Sequence, residues 1–149
     1  MDTILWALFG VIAGACIATQ APINVQLGKG LGLPIAAAAV SFLAGGIVLW
    51  LLTFTFARIQ GVSLDFSAPA PWMFVAGGLL GAVYVFSTVI LTPIMGAAAV
   101  MALSVTGQMI AGMALDKVGF MGMAVREISM GRIAGAVLLV AGAVMIRTL

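Results

Sequence analysis

The chain contains no histidine and a single cysteine, Cys16, among its 149 residues. A Cys/His metal centre and an intrachain disulfide are both excluded by that count. Charge is almost as scarce: six Lys and Arg stand against four Asp and Glu, 7% of the chain, for a net charge of +2. Soluble domains carry roughly 25% charged residues, so this composition does not describe one. So small and scattered an excess gives no footing for nucleic acid or a strongly anionic surface. Apart from Arg132 at the very start of the last, no Asp, Glu, Lys or Arg falls within the long apolar runs, and a charge deep in the membrane is the usual mark of a proton relay or ion site. Without a nucleophile–base pair or paired carboxylates, nothing points to an enzyme or to a cofactor.

What fills the chain is apolar: 64% of the residues are hydrophobic, with a mean hydropathy of +1.33. Such a chain belongs in a bilayer. A span needs about 20 apolar residues at 1.5 Å rise each, so five spans and short loops use the whole length. The expected class is an all-α polytopic membrane protein with five transmembrane helices, forming a single domain over residues 1–149. The spans are read at about 3–27, 34–57, 72–91, 95–115 and 131–146. Pro34 suits the first turn of the second, Pro69-Ala70-Pro71 punctuates the loop before the third, and Thr92-Pro93 marks a very short turn after it. The first span follows Asp2 rather than a basic region and is too long for a cleaved signal.

Polar residues inside the runs are neutral and spaced like a helix. Gln20 and Asn24 are four apart in the first span, Tyr84 and Thr88 in the third, Ser104 and Gln108 in the fourth. Each pair lies on one helix face, one turn apart, and three such stripes can converge on one polar cavity. Pro22 offers no N–H to the Ala18 carbonyl, so a kink or loosening is expected there. Irregular, polar helix is tolerated at membrane depth where it meets protein or a water-filled cavity. Amides are costly to bury without partners, so Asn24 and Gln108 are the leading candidates for solute contact, with Gln20, Tyr84, Thr88 and Ser104 beside them. Ser41, Ser87 and Thr106 read instead as hydroxyls bonded to their own helices. Asp116 is the carboxylate nearest a polar stripe, a candidate gate or coupling group unless a neighbouring cation pairs with it.

Glycine sets the packing. Gly10/Gly14, Gly77/Gly81 and Gly131/Gly135 are each four apart, a spacing that lets helix backbones approach where lipid supplies no hydrophobic drive between them. Lys and Arg set orientation: Arg58, Lys117, Arg126 and Arg132 fall on the side of the amino terminus, Lys29 and Arg147 on the other. Four against two favours a cytoplasmic amino terminus, by a shallow margin.

Taken in order, these residues resemble a known family. Gln20-x-x-x-Asn24, Pro34 with Ser41-Phe42 and Gly45, and Gly107-Gln108 are followed by Asp116-x-x-Gly119-x-x-Gly122, Gly131-Arg132-x-x-Gly135 and Gly142. The set is similar to the five-span, YdcZ-like bacterial members of the drug/metabolite transporter superfamily, over nearly the whole chain. The resemblance implies a bacterial inner-membrane half-transporter, half of a ten-helix inverted-repeat bundle, acting as a homodimer or with a paralogous partner. Four-span relatives work as antiparallel dimers and carry a glutamate in their first span; here Gln20 and Asn24 stand instead, which points away from proton-coupled export of cationic drugs. The expected activity is movement of a small neutral or zwitterionic metabolite or drug. The competing reading is a non-transporting subunit whose glycine faces dock a larger membrane complex.

Overall fold

The structure is a computed structural model describing residues 2–148, with the side chains of Asp2 and Arg147 outside the description; the charges that sequence placed at those two positions fall there too. Helices account for nearly all of it: α1 (Asp2–Leu31), α2 (Pro34–Gln60), α3 (Met73–Met95), α4 (Ala97–Val118), a short 3₁₀ turn (Phe120–Gly122) and α5 (Met130–Thr148). The first four are long and apolar enough to cross a membrane, and the fifth carries a shorter apolar run, Met130–Ile146. At 1.5 Å per residue α5 still measures about 28 Å, close to the thickness of a bilayer's hydrocarbon core. Large side chains point outward all round, Ile4, Leu80 and Leu138 among them, each more than 70% exposed. Water would not tolerate such a surface; lipid requires it. The protein is a multi-pass membrane protein.

Most helices run past their expected ends, and two of these departures have a clear physical cause. Lys29 does not stop α1, which runs on to Leu31, because a lysine stem can lie along apolar surface while its ammonium reaches the interface. Thr92-Pro93 is not the turn between α3 and α4: the helix continues through Pro93 to Met95, and the break falls at Gly96, at φ +82°. Proline forfeits one bond, to the Val89 carbonyl, but its φ is helical. A positive φ leaves the helix, and glycine adopts it without the Cβ penalty.

The chain divides into two compact units, Met1–Pro93 and Ile94–Leu149. In the first, α1 packs on α2 and approaches α3. The buried face of α1 is Ala21, Asn24, Val25 and Gly28, the i, i+3, i+4, i+7 spacing of a helix stripe. Ala37 and Ala38 of α2 and Val85, Thr88 and Val89 of α3 complete this core. It is built of small residues, as close helix approach in lipid demands. The tightest point is Gly28, where a Cβ would stand 3.2 Å from Pro34 Cα, 3.5 Å from Ala37 Cβ and 3.7 Å from Val89 Cγ1. The loop after α2 folds back so that Phe66 stands 6.2 Å from Trp50, which itself stacks on Phe54. Within it Asp65 accepts from the Ser67 hydroxyl at 2.6 Å and from its backbone N–H at 2.8 Å. Those bonds, the Ser67 hydroxyl's first, hold the Asp65 carboxyl below its ordinary value, so the carboxylate that accepts them is ionised at neutral pH.

In the second unit α4 and α5 pack together. Arg132 reaches Asp116, and Met109 Cε lies 3.9 Å from where a Cβ on Gly135 would stand. Contacts that pair later residues of α5 with earlier residues of α4 make the two helices antiparallel.

A neutral polar cavity in the first unit

Gln20 stands at the centre of the polar features of the first unit. It sits just ahead of the buried stripe on α1, where the helices have begun to separate, and is only part-buried. Its Nε2 donates to Ser41 Oγ on α2 at 3.3 Å, a neutral bond worth about 0.5–1.5 kcal/mol. Three neighbouring cavities share Gln20 as a wall, of about 180, 500 and 550 Å³. The smallest is closed by Tyr84, Val85 and Thr88 of α3 with Phe42 of α2. The others run along α1 past Cys16, Thr19 and Asn24, and along α2 past Gly45 and Leu49. Phe42 reaches α3 because position 81 is glycine: a Cβ there would lie 2.9 Å from the ring's Cζ. No Asp, Glu, Lys or Arg lines any of the three.

The polar groups in this region differ in how they are satisfied. Thr88 is buried, and its hydroxyl donates to the Val85 carbonyl of its own helix at 2.8 Å, leaving its oxygen as an acceptor. Thr19 likewise donates to Ala15. Asn24 is 3% exposed, and its Nδ2 meets no acceptor among the described residues. Pro22, inside the unbroken α1, lies between Gln20 and Asn24. The arrangement can grip an uncharged solute by hydrogen bonds and ring contact; it offers no charge to neutralise and no group for bond-breaking chemistry.

The family model described as "Putative inner membrane exporter, YdcZ" matches residues 5–145. The chain belongs to that family. No curated protein and no solved structure matches it. Membership in a YdcZ exporter family supports a membrane transporter and argues against an enzyme.

The residues singled out from sequence are distributed between the two units of this YdcZ-family protein. Gln20, Asn24, Tyr84 and Thr88 come together in the first. Ser104 and Gln108 lie on α4 in the second, the former half-buried and the latter exposed. Asp116, also in the second, accepts from the Arg132 guanidinium, with the two side chains 28% and 32% exposed. Its backbone carbonyl takes the Arg126 N–H at 3.0 Å, so Asp116 fastens the connection between α4 and α5 at two points. Among the six packing glycines, Gly81 meets Phe42 and Gly135 meets Met109, while Gly131 has only Ser129 Oγ nearby, at 3.9 Å. Gly10, Gly14 and Gly77 have nothing within 4 Å among the described residues.

Ser87 and Thr106 do bond their own helices, at Val83 and Ala102. Ser41 does not follow them: its oxygen accepts from Gln20, and it joins the cavity. Sequence spacing held the signal, since Pro34, Ala37, Ala38 and Ser41 form an i, i+3, i+4, i+7 stripe that turns Ser41 inward. Gly28 was missed because it sits beside Lys29 and reads as a span end.

Proposed function

We propose that this YdcZ-family protein is half of a ten-helix, inverted-repeat secondary transporter of the drug/metabolite transporter type. It moves a small neutral or zwitterionic solute by alternating access, and the cavity around Gln20 forms one wall of the route. The observation that carries the reading is Gln20 itself, an amide shared by three adjoining cavities in a unit that has no charge at membrane depth. Inverted-repeat transporters bind near the bilayer midplane, where two halves face each other, and five spans supply one half. A second chain in the opposite orientation supplies the other; the uncovered glycines Gly10 and Gly14 suit the close approach of a partner helix. Ser104 and Gln108 form a separate polar stripe on α4 of the second unit.

The test is a thermal-shift screen of the purified protein against neutral, zwitterionic, cationic and anionic metabolites, run in parallel on Gln20→Leu. A ligand bound by the folded state alone raises the melting temperature. A solute that stabilises the parent and leaves Gln20→Leu unmoved is the expected result. Equal stabilisation of both forms would place the solute elsewhere.

A further inference from the structure

Gln20 and Asn24 line the same cavity of about 500 Å³, and their amide nitrogens are satisfied differently. Gln20 gives one N–H of its Nε2 to Ser41, which fixes the amide and presents its carbonyl oxygen as an acceptor beside the second N–H. Asn24 has a buried Nδ2 with no acceptor among the described residues, and it remains a donor. The two residues are one helical turn apart on one face, about 5–6 Å between their Cβ atoms. Two side chains in that relation are complementary to a group that carries an acceptor oxygen next to an N–H donor. The span suits a carboxamide, lactam or ureide edge, whose oxygen and nitrogen are bonded to one carbon. The same cavity has no carboxylate to hold a cation and no Lys or Arg to hold an anion.

We propose that the Gln20/Asn24 cavity recognises an uncharged amide-type edge, its oxygen taking the Asn24 N–H and its N–H donating to the Gln20 carbonyl. The inference rests on the transport reading above and narrows it to a substrate class. Charged isosteres fail for a defined reason. A cation gives Asn24 no acceptor and finds no counter-charge, while a carboxylate gives Gln20 no donor and loses its hydration without a cationic partner.

Cys16 makes the test direct, because it is the chain's sole cysteine and lines the same cavity. The full-length protein in liposomes is alkylated with N-ethylmaleimide alone and with three probes of one shape: benzamide, benzamidine and benzoate. Benzamide at millimolar concentration should slow alkylation of Cys16 at least threefold, with little effect from the cation or the anion. Asn24→Leu should keep the unprotected rate and lose the benzamide protection. The inference is overturned if benzamidine or benzoate protects as well as benzamide, if benzamide gives no protection, or if protection persists in Asn24→Leu. These failures differ from failure of the transport reading. A charged solute whose stabilisation depends on Gln20 would keep the transporter and remove the amide specificity.

Discussion

Moving an amide N–H into an apolar interior without an acceptor costs about 1–3 kcal/mol, and Asn24 Nδ2 occupies that position in the absence of solute. It shares the core with Ala21, Val25 and Gly28 of its own helix and with residues of α2 and α3, and none of the described residues accepts from its Nδ2. Asn24→Leu should therefore raise the melting temperature of the solute-free protein while removing solute stabilisation, a trade visible by thermal unfolding in detergent. A lower melting temperature in that variant would mean that the amide serves the fold instead. At this scale sequence singles out side chains that are out of place in lipid: of the three candidate amides, Gln20 and Asn24 line one cavity, while Gln108 lies exposed on α4. It served poorly for Ser41, because a helical serine ordinarily bonds its own backbone, as Ser87 does. Only the arrival of Gln20 from another helix turns it to a different use.

Element boundaries were legible where a residue must leave the helix and less so where it merely weakens it. Gly61, at φ +64°, ends the helix at Gln60, three residues beyond the expected Ala57, and caps it with bonds to the Ala57 and Arg58 carbonyls. Thr92-Pro93 was read as a turn and is not, since a proline keeps a helical φ, and α1 runs past the expected Leu27 to Leu31 because the Lys29 stem can lie along apolar surface. Between α4 and α5 the deciding contact is the ion pair of Asp116 with Arg132, which spacing in the sequence could suggest but not assign. Both groups are about a third exposed, so screening limits the pair to about 1 kcal/mol or less. Asp116→Arg should lower the melting temperature slightly by placing two cations together, and adding Arg132→Asp should restore much of the loss. A double variant no more stable than Asp116→Arg alone would show that the pair does not couple the two helices.

For the whole molecule, composition and hydropathy gave the class, the membrane and nearly every span, because lipid imposes one rule on every backbone group. The proposed pairing of two chains would not be written in one chain's pattern. An odd number of spans leaves the two termini on opposite sides of the membrane, so an inverted partner must insert the other way round. The shallow four-against-two bias in Lys and Arg permits this, both orientations being close in energy. Single cysteines placed at either end, in a Cys16→Ala background, should each be labelled from outside in a substantial fraction of molecules. Labelling at one end alone would exclude the antiparallel homodimer and leave a sister chain as the partner.

Flux tests the neutral route around Gln20 most directly. With the solute found by thermal shift loaded into proteoliposomes, the parent protein should release it, and Gln20→Leu should abolish the release at equal reconstitution. The rate should vary little between about pH 5 and 8, because a chain without histidine has no side chain whose ordinary pKa falls there. Undiminished flux through Gln20→Leu, or a steep pH dependence removed by Asp116→Asn, would contradict a neutral route centred on Gln20.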